Sequence, residues 1–218
     1  MMSRQLGFDL GQRASLGRED FLVAPHNEAA VAWVDAWPDW PAAALALHGP
    51  AGCGKTHLAS VFAARTQAEY IDPPSIAAAI RRVLDGTLRE IVVDEADGFE
   101  DAALLHLLNA LTEKGGHALM TARTAPARWN VKLPDLKSRL RAIPAVPIAP
   151  PDDASLAAIL VKLFDDRQLR VDQPVIDWLV AHIERSFDGA RRAVAALDDA
   201  SLEKRREITV VLARETIR

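Results

Sequence analysis

Apolar positions along this chain fall into two rhythms. Short, mostly apolar runs recur at Ala42–His48, Glu69–Ile71, Glu90–Asp94, His117–Thr121 and Ala145–Ile148. They are too short for helices and do not alternate with polar residues, which is the pattern of strands covered on both faces. Between them, Asn27–Trp37, Lys55–Arg65, Ser75–Leu84 and Asp101–Glu113 have the character of helices. The first lines up Ala30, Val31, Trp33, Val34 and Trp37 on one stripe and stops at Pro38, which cannot continue it. Strand and helix in alternation predict a parallel sheet with helices on both faces.

The rhythm changes after Pro147-Ile148-Ala149-Pro150-Pro151. Asp153–Arg167, Pro174–Ser186, Asp188–Arg205 and Thr209–Ile217 are all helical in spacing, and no strand intervenes. Asp153 and Thr209 are expected N-caps, and Pro174 suits a first helical turn. At the other end, Gln5–Gly17 is polar and glycine-containing, with few large apolar residues, and reads as a flexible arm. The expected organisation is therefore an arm at 1–18, an α/β domain at 19–150 and a small all-helical domain at 151–218.

Composition narrows the function classes. The chain of 218 residues is 50% hydrophobic and 26% charged, ordinary for a folded protein with a sizeable core. Its net charge of −4 argues against DNA as the main partner, since non-specific DNA binding draws on clustered Lys and Arg. No apolar run approaches the roughly 18 residues of a membrane span. Met1-Met2-Ser3-Arg4-Gln5 lacks the apolar centre of a signal peptide, so a cytoplasmic protein is expected. The single cysteine, Cys53, excludes an internal disulfide and a cysteine-based zinc site, and the six His lack metal-ligand spacing.

The chemistry concentrates in Gly49-Pro50-Ala51-Gly52-Cys53-Gly54-Lys55-Thr56, which matches G-x-x-x-x-G-K-[ST] between a predicted strand and a predicted helix. Its glycines let backbone N–H groups turn inward around phosphate oxygens. Lys55 supplies a point charge and Thr56 a hydroxyl ligand for Mg²⁺. Cys53 occupies a variable loop position, and His57, in the following helix, is expected to pack locally. Ile91-Val92-Val93-Asp94-Glu95 ends a strand in acid: Asp94 can hold the Mg²⁺ and Glu95 can orient or deprotonate an attacking water. Asp97 reads as a solvated turn residue. The five tryptophans read as packing, not as base-stacking platforms.

These motifs resemble the AAA+ ATPases, and within them the DnaA initiator clade, over Glu19–Arg218. The resemblance rests on Asp20–Asn27, on Gly52–Leu58, on Leu133–Leu140, similar to the clade's Box VII, and on Asp188–Leu197, similar to its sensor 2 helix. It implies a P-loop AAA+ sheet followed by a helical lid. It also implies an adenine pocket at Leu22–Asn27 with Leu22, Val23 and Asn27, a nucleotide contact at His57, an arginine finger at Arg139 and a sensor at Arg191. The sensor 1 region falls on Leu119–Arg123, where Ala122-Arg123 replaces the usual polar residue and Thr121 is the one candidate.

The resemblance departs at both ends. The initiator's C-terminal helix-turn-helix is not represented after Arg218. Near the N-terminus stands Gln5-Leu6-Gly7-Phe8-Asp9-Leu10, which resembles a sliding-clamp-binding peptide inserting Leu6, Phe8 and Leu10 while Gln5 makes polar contacts. The combination is similar to short regulators of replication initiation that bind the DNA polymerase III sliding clamp and stimulate ATP hydrolysis by DnaA. Bound ADP or ATP with Mg²⁺, a homodimer or higher oligomer, no direct sequence-specific DNA binding and weak ATPase activity of its own are the accompanying expectations. A nucleotide-gated helicase loader or recruitment adaptor is the alternative.

Overall fold

The computed structural model describes residues 23–217; Leu22 and the Gln5–Leu10 segment lie outside the described residues. Five strands, β1 (Ala44–His48), β2 (Glu69–Ile71), β3 (Glu90–Val93), β4 (His117–Ala122) and β5 (Ala145–Pro147), form one parallel sheet in the order β2-β3-β4-β1-β5. The helices among and before them are α1 (Glu28–Asp35), α2 (Lys55–Thr66), α3 (Ile76–Leu84), α4 (Asp101–Lys114) and α5 (Pro134–Ala142).

Strand periodicity sorts the core into two layers. Ala44, Ala46, Ile91, Val93, Ala118 and Met120 pack with α3, α4 and α5 on one face. Leu45, Leu47, Val92, Leu119 and Val146 pack with α1 and α2 on the other. Trp40 stacks on Phe62 with centroids 5.5 Å apart, filling the α1–α2 side. This is the expected sheet flanked by helices.

A further four helices follow: α6 (Asp153–Asp165), α7 (Gln173–His182), α8 (Phe187–Lys204) and α9 (Val210–Thr216). They bury a separate cluster around Leu160, Phe164, Leu179, Val194, Leu197 and Leu212.

Two local expectations need correction, and one helix was not foreseen. Helix α5 was not legible as a helix, because only Leu136 and Leu140 are buried in it and most of its other positions are polar. The cap of α6 is Asp152, whose Oδ1 accepts from the Ser155 amide at 2.8 Å; Asp153 is the first helical residue. Helix α7 ends at His182, and Ser186 instead caps α8, its Oγ accepting from the Gly189 amide at 2.9 Å. Thr209 caps α9 as expected, accepting from the Leu212 amide.

Candidate nucleotide site

The sheet order explains how the site comes together. Strand β4 lies between β1 and β3, so the loop leaving β1 and the acidic residues leaving β3 flank the end of β4. Leu47 pairs with Thr121, and Val93 pairs with Met120. Continuing that register sets Asp94 beside Thr121, and alternation turns both toward the face covered by α2.

Gly49–Thr56 bridges β1 to α2. A Cβ on Gly49 would lie 2.2 Å from the Ile148 carbonyl oxygen, so only glycine allows the loop to pass. Gly52 has φ +72°, and a Cβ there would meet Ser186 at 2.7 Å. The Lys55 ammonium donates to the carbonyls of Gly49 at 2.9 Å and Pro50 at 2.7 Å, and lies 3.7 Å from the Cys53 sulfur. Cys53 is buried, a packing element of the loop.

Thr56 Oγ1 donates to Asp94 Oδ2 at 3.4 Å, joining loop to acid. The Thr121 hydroxyl donates to Asp94 Oδ1 and accepts from the Glu95 amide at 3.1 Å. Thr121 is only 1% exposed, so it fixes the Asp94 carboxylate from inside the sheet. The candidate of the expected sensor 1 region thus has its hydroxyl on Asp94. Glu95 itself is exposed and has φ 50°, ψ 49°, a conformation that costs a non-glycine residue about 1–3 kcal/mol and clusters at functional sites.

Thr56 and Asp94 together suit Mg²⁺, a hard cation that takes one or two protein oxygens and completes its shell with water and phosphate. Among the described residues no group of three or more His, Cys, Asp or Glu is placed to hold a metal by itself. Neighbouring polar groups were not foreseen. Tyr70 on β2 shares a 2.9 Å hydrogen bond with Ser60 of α2, and Ser60 donates to the Thr56 carbonyl at 2.9 Å. Burial and nearby Asp94 push the Tyr70 phenol up. At the end of β1, burial and the cations Arg128 and Lys55 hold the His48 imidazole below its ordinary pKa.

The lid meets the loop directly. The Phe187 amide donates to the Gly52 carbonyl at 2.9 Å, and the Phe187 ring packs on His57 with centroids 5.0 Å apart. Arg191, on the same helix, donates through Nε and Nη2 to Asp188 Oδ1 at 3.3 and 3.1 Å. In the expected adenine segment, Val23 is 48% exposed and Asn27 is buried, its Oδ1 accepting from the Ala24 amide at 2.9 Å. The His26 carbonyl accepts from the Ala149 amide at 3.1 Å, tying this segment to the chain between β5 and α6.

Arg139 is not brought into this cluster. From α5 its Nη1 donates to Thr112 Oγ1 on α4 at 3.1 Å, and among the described residues no carboxylate pairs with it. Asp97 lies exposed in a 3₁₀ turn at Ala96–Gly98.

Comparison with known proteins follows the same outline. Residues 152–217 match the family described as Hda, lid domain. The chain is 25% identical to the chromosomal replication initiator protein DnaA of Mesorhizobium japonicum, covering 86% of this chain and 44% of that protein. It thus spans less than half the length of this curated relative. Domain III of the Thermotoga maritima initiation protein DnaA superimposes with a TM-score of 0.78 at 17% identity, covering 94% of this chain and 98% of that one. AMPPCP-bound DnaA from Aquifex aeolicus gives 0.70 at 19% identity, covering 85% of this chain and 65% of that one.

The parallel sheet, with a helical region packed on the Gly49–Thr56 loop, has the fold of the AAA+ DnaA domains on which it superimposes. Within that class the chain is DnaA-like and resembles Hda. Among its described residues no helix is long and apolar enough to cross a membrane.

Proposed function

We propose that this protein is a nucleotide-binding AAA+ regulator of replication initiation that docks on the sliding clamp and stimulates ATP hydrolysis by DnaA. The observation that carries the reading is the likeness of residues 152–217 to the Hda lid domain, on a chain whose lid braces a full G-x-x-x-x-G-K-T loop. ADP or ATP would lie with its phosphates on Gly49–Thr56 and its base against 22–27. Lys55 would turn from the Gly49 and Pro50 carbonyls to the phosphates, and Thr56 and Asp94 would hold Mg²⁺.

Arg139 acts in trans in this reading. Its guanidinium donates to a neutral hydroxyl on Thr112. Such a group, delivered to a partner's triphosphate, stabilises the charge spread over the transferring phosphoryl oxygens. Gln5, Leu6, Phe8 and Leu10 would tether the regulator to the clamp. The expected domain limits, 1–18, 19–150 and 151–218, belong to the same proposal.

The test is hydrolysis of DnaA-bound ATP with and without this protein and DNA-loaded clamp. Stimulation that needs both additions supports the reading. No stimulation by a protein that still binds nucleotide would overturn it and favour the helicase-loader or recruitment role.

A further inference from the structure

The first turn of α8 carries a carboxylate at the mouth of the phosphate loop. A Cβ on Gly52 would lie 3.5 Å from the Cβ of Asp188, so Asp188 is a neighbour of the loop that would cradle phosphates. Both of its oxygens are engaged by cations. Oδ1 takes Nε and Nη2 of Arg191 at 3.3 and 3.1 Å, and Oδ2 faces Nη1 of Arg192 at 3.6 Å. Arg192 is held from its other side by Glu184 Oε2 at 2.7 Å. Asp188 and Arg191 are half exposed, so the pair is exchangeable rather than locked.

We infer that Asp188 is a specificity-determining residue that sets how strongly the site discriminates a nucleoside triphosphate from a diphosphate. This rests on the nucleotide-site reading above and goes beyond it. Two effects act with the same sign. A terminal phosphate that engages Arg191 would have to draw it away from Asp188, because Nε and Nη2, the edge best suited to a two-pronged grip on an oxyanion, already hold Oδ1. In addition, the carboxylate stands beside the loop, so each further negative charge on the ligand meets repulsion there. The diphosphate meets less of both. Arg192 and Glu184 keep the helix turn in place when Arg191 moves, since their 2.7 Å pair does not involve Asp188.

The screened, half-exposed setting makes the effect moderate, of the size of a surface ion pair. Replacing Asp188 by Asn keeps the shape of the side chain and removes its charge. The experiment is calorimetric titration of the full chain with Mg²⁺ and either ADP or the non-hydrolysable triphosphate AMPPCP. The expected result for Asp188→Asn is a shift of the affinity ratio toward AMPPCP of about threefold to fivefold. Asp188→Glu, which restores the charge, should return the ratio to that of the unmodified protein. Arg191→Gln added to Asp188→Asn should erase most of the gain.

An unchanged ratio in Asp188→Asn, with both nucleotides still bound, overturns the inference and leaves the nucleotide site standing. Equal weakening of both ligands assigns Asp188 a structural role and also overturns it. Failure of the unmodified protein to bind either nucleotide sinks the site itself, and with it the inference.

Discussion

The Phe187 amide donates to the Gly52 carbonyl at 2.9 Å, which fastens the first turn of the lid's α8 to the phosphate loop. The contact is reinforced by Ser186, which packs where a Gly52 side chain would stand, and by the Phe187 ring against His57. Any ligand that reshapes the loop therefore acts on the lid through a backbone hydrogen bond and one ring contact. This coupling needs no long pathway, because the two elements touch.

Gly52→Ala tests that brace. Its φ of +72° disfavours any side chain by about 1–2 kcal/mol, and the new methyl would meet Ser186 Cβ at 2.7 Å. The expected result is a loss of about 2 kcal/mol or more in stability and about tenfold in ADP affinity. Thermal denaturation and calorimetry measure both. Unchanged affinity would mean that loop and lid are independent.

Thr121 is the buried link between Asp94 and Glu95. Thr121→Val keeps its volume but removes the hydroxyl, leaving the Glu95 amide without its acceptor and Asp94 Oδ1 without its donor, while Oδ2 keeps Thr56. The cost should be about 1–3 kcal/mol, with weakened Mg²⁺-dependent nucleotide binding. Thr121→Ser should recover most of both. Chemical denaturation of the three proteins decides the point, and a Val variant as stable as the parent would contradict it.

Stability should fall on mild acidification. His48 and His26 both titrate below their ordinary value of about 6.5, chiefly because burial disfavours the imidazolium. The folded state therefore binds fewer protons than the unfolded chain between the depressed values and 6.5. In that window stability rises with pH; it is fully present above 6.5 and is lost as pH falls through the folded values. Melting temperatures from pH 7.5 down to about 5.5 should show this slope. A His26→Gln, His48→Gln double variant should flatten it, and an unaltered slope would place the cause elsewhere.

Arg139→Ala should leave melting temperature nearly unchanged, since one partly exposed hydrogen bond to Thr112 is lost. Nucleotide affinity of this chain should also persist, because Arg139 lies outside its own loop cluster. Stimulation of DnaA hydrolysis should disappear. Retained stimulation would move the trans-acting arginine to another position.

Much of the site was legible because it is local. The phosphate loop is eight consecutive residues whose spacing is itself the geometry, and Asp94-Glu95 stands at a strand end that its apolar run announces. Alternation of strands and helices implied the parallel sheet. Helix α5 was opaque for the opposite reason: two buried leucines leave too weak a period to read. The Asp152 cap was misplaced by one residue, since Asp152 and Asp153 are chemically equal until the backbone chooses.

The sequence by itself determined the class of fold, the glycine-rich turn at Gly49–Thr56 between a strand and a helix, and the acidic strand end at Asp94-Glu95. Only the tertiary structure decided who touches whom. Periodicity states which face a residue lies on, but not which strand stands beside it. The insertion of β4 between β1 and β3 is what brings Thr121 onto Asp94, and Asp94 within reach of Thr56. The return of the chain through α6 and α7 is what lays Phe187 and Asp188 against Gly52. Those contacts depend on strand order and helix packing, which are set by burial across the whole core and are not encoded in any one stretch of residues.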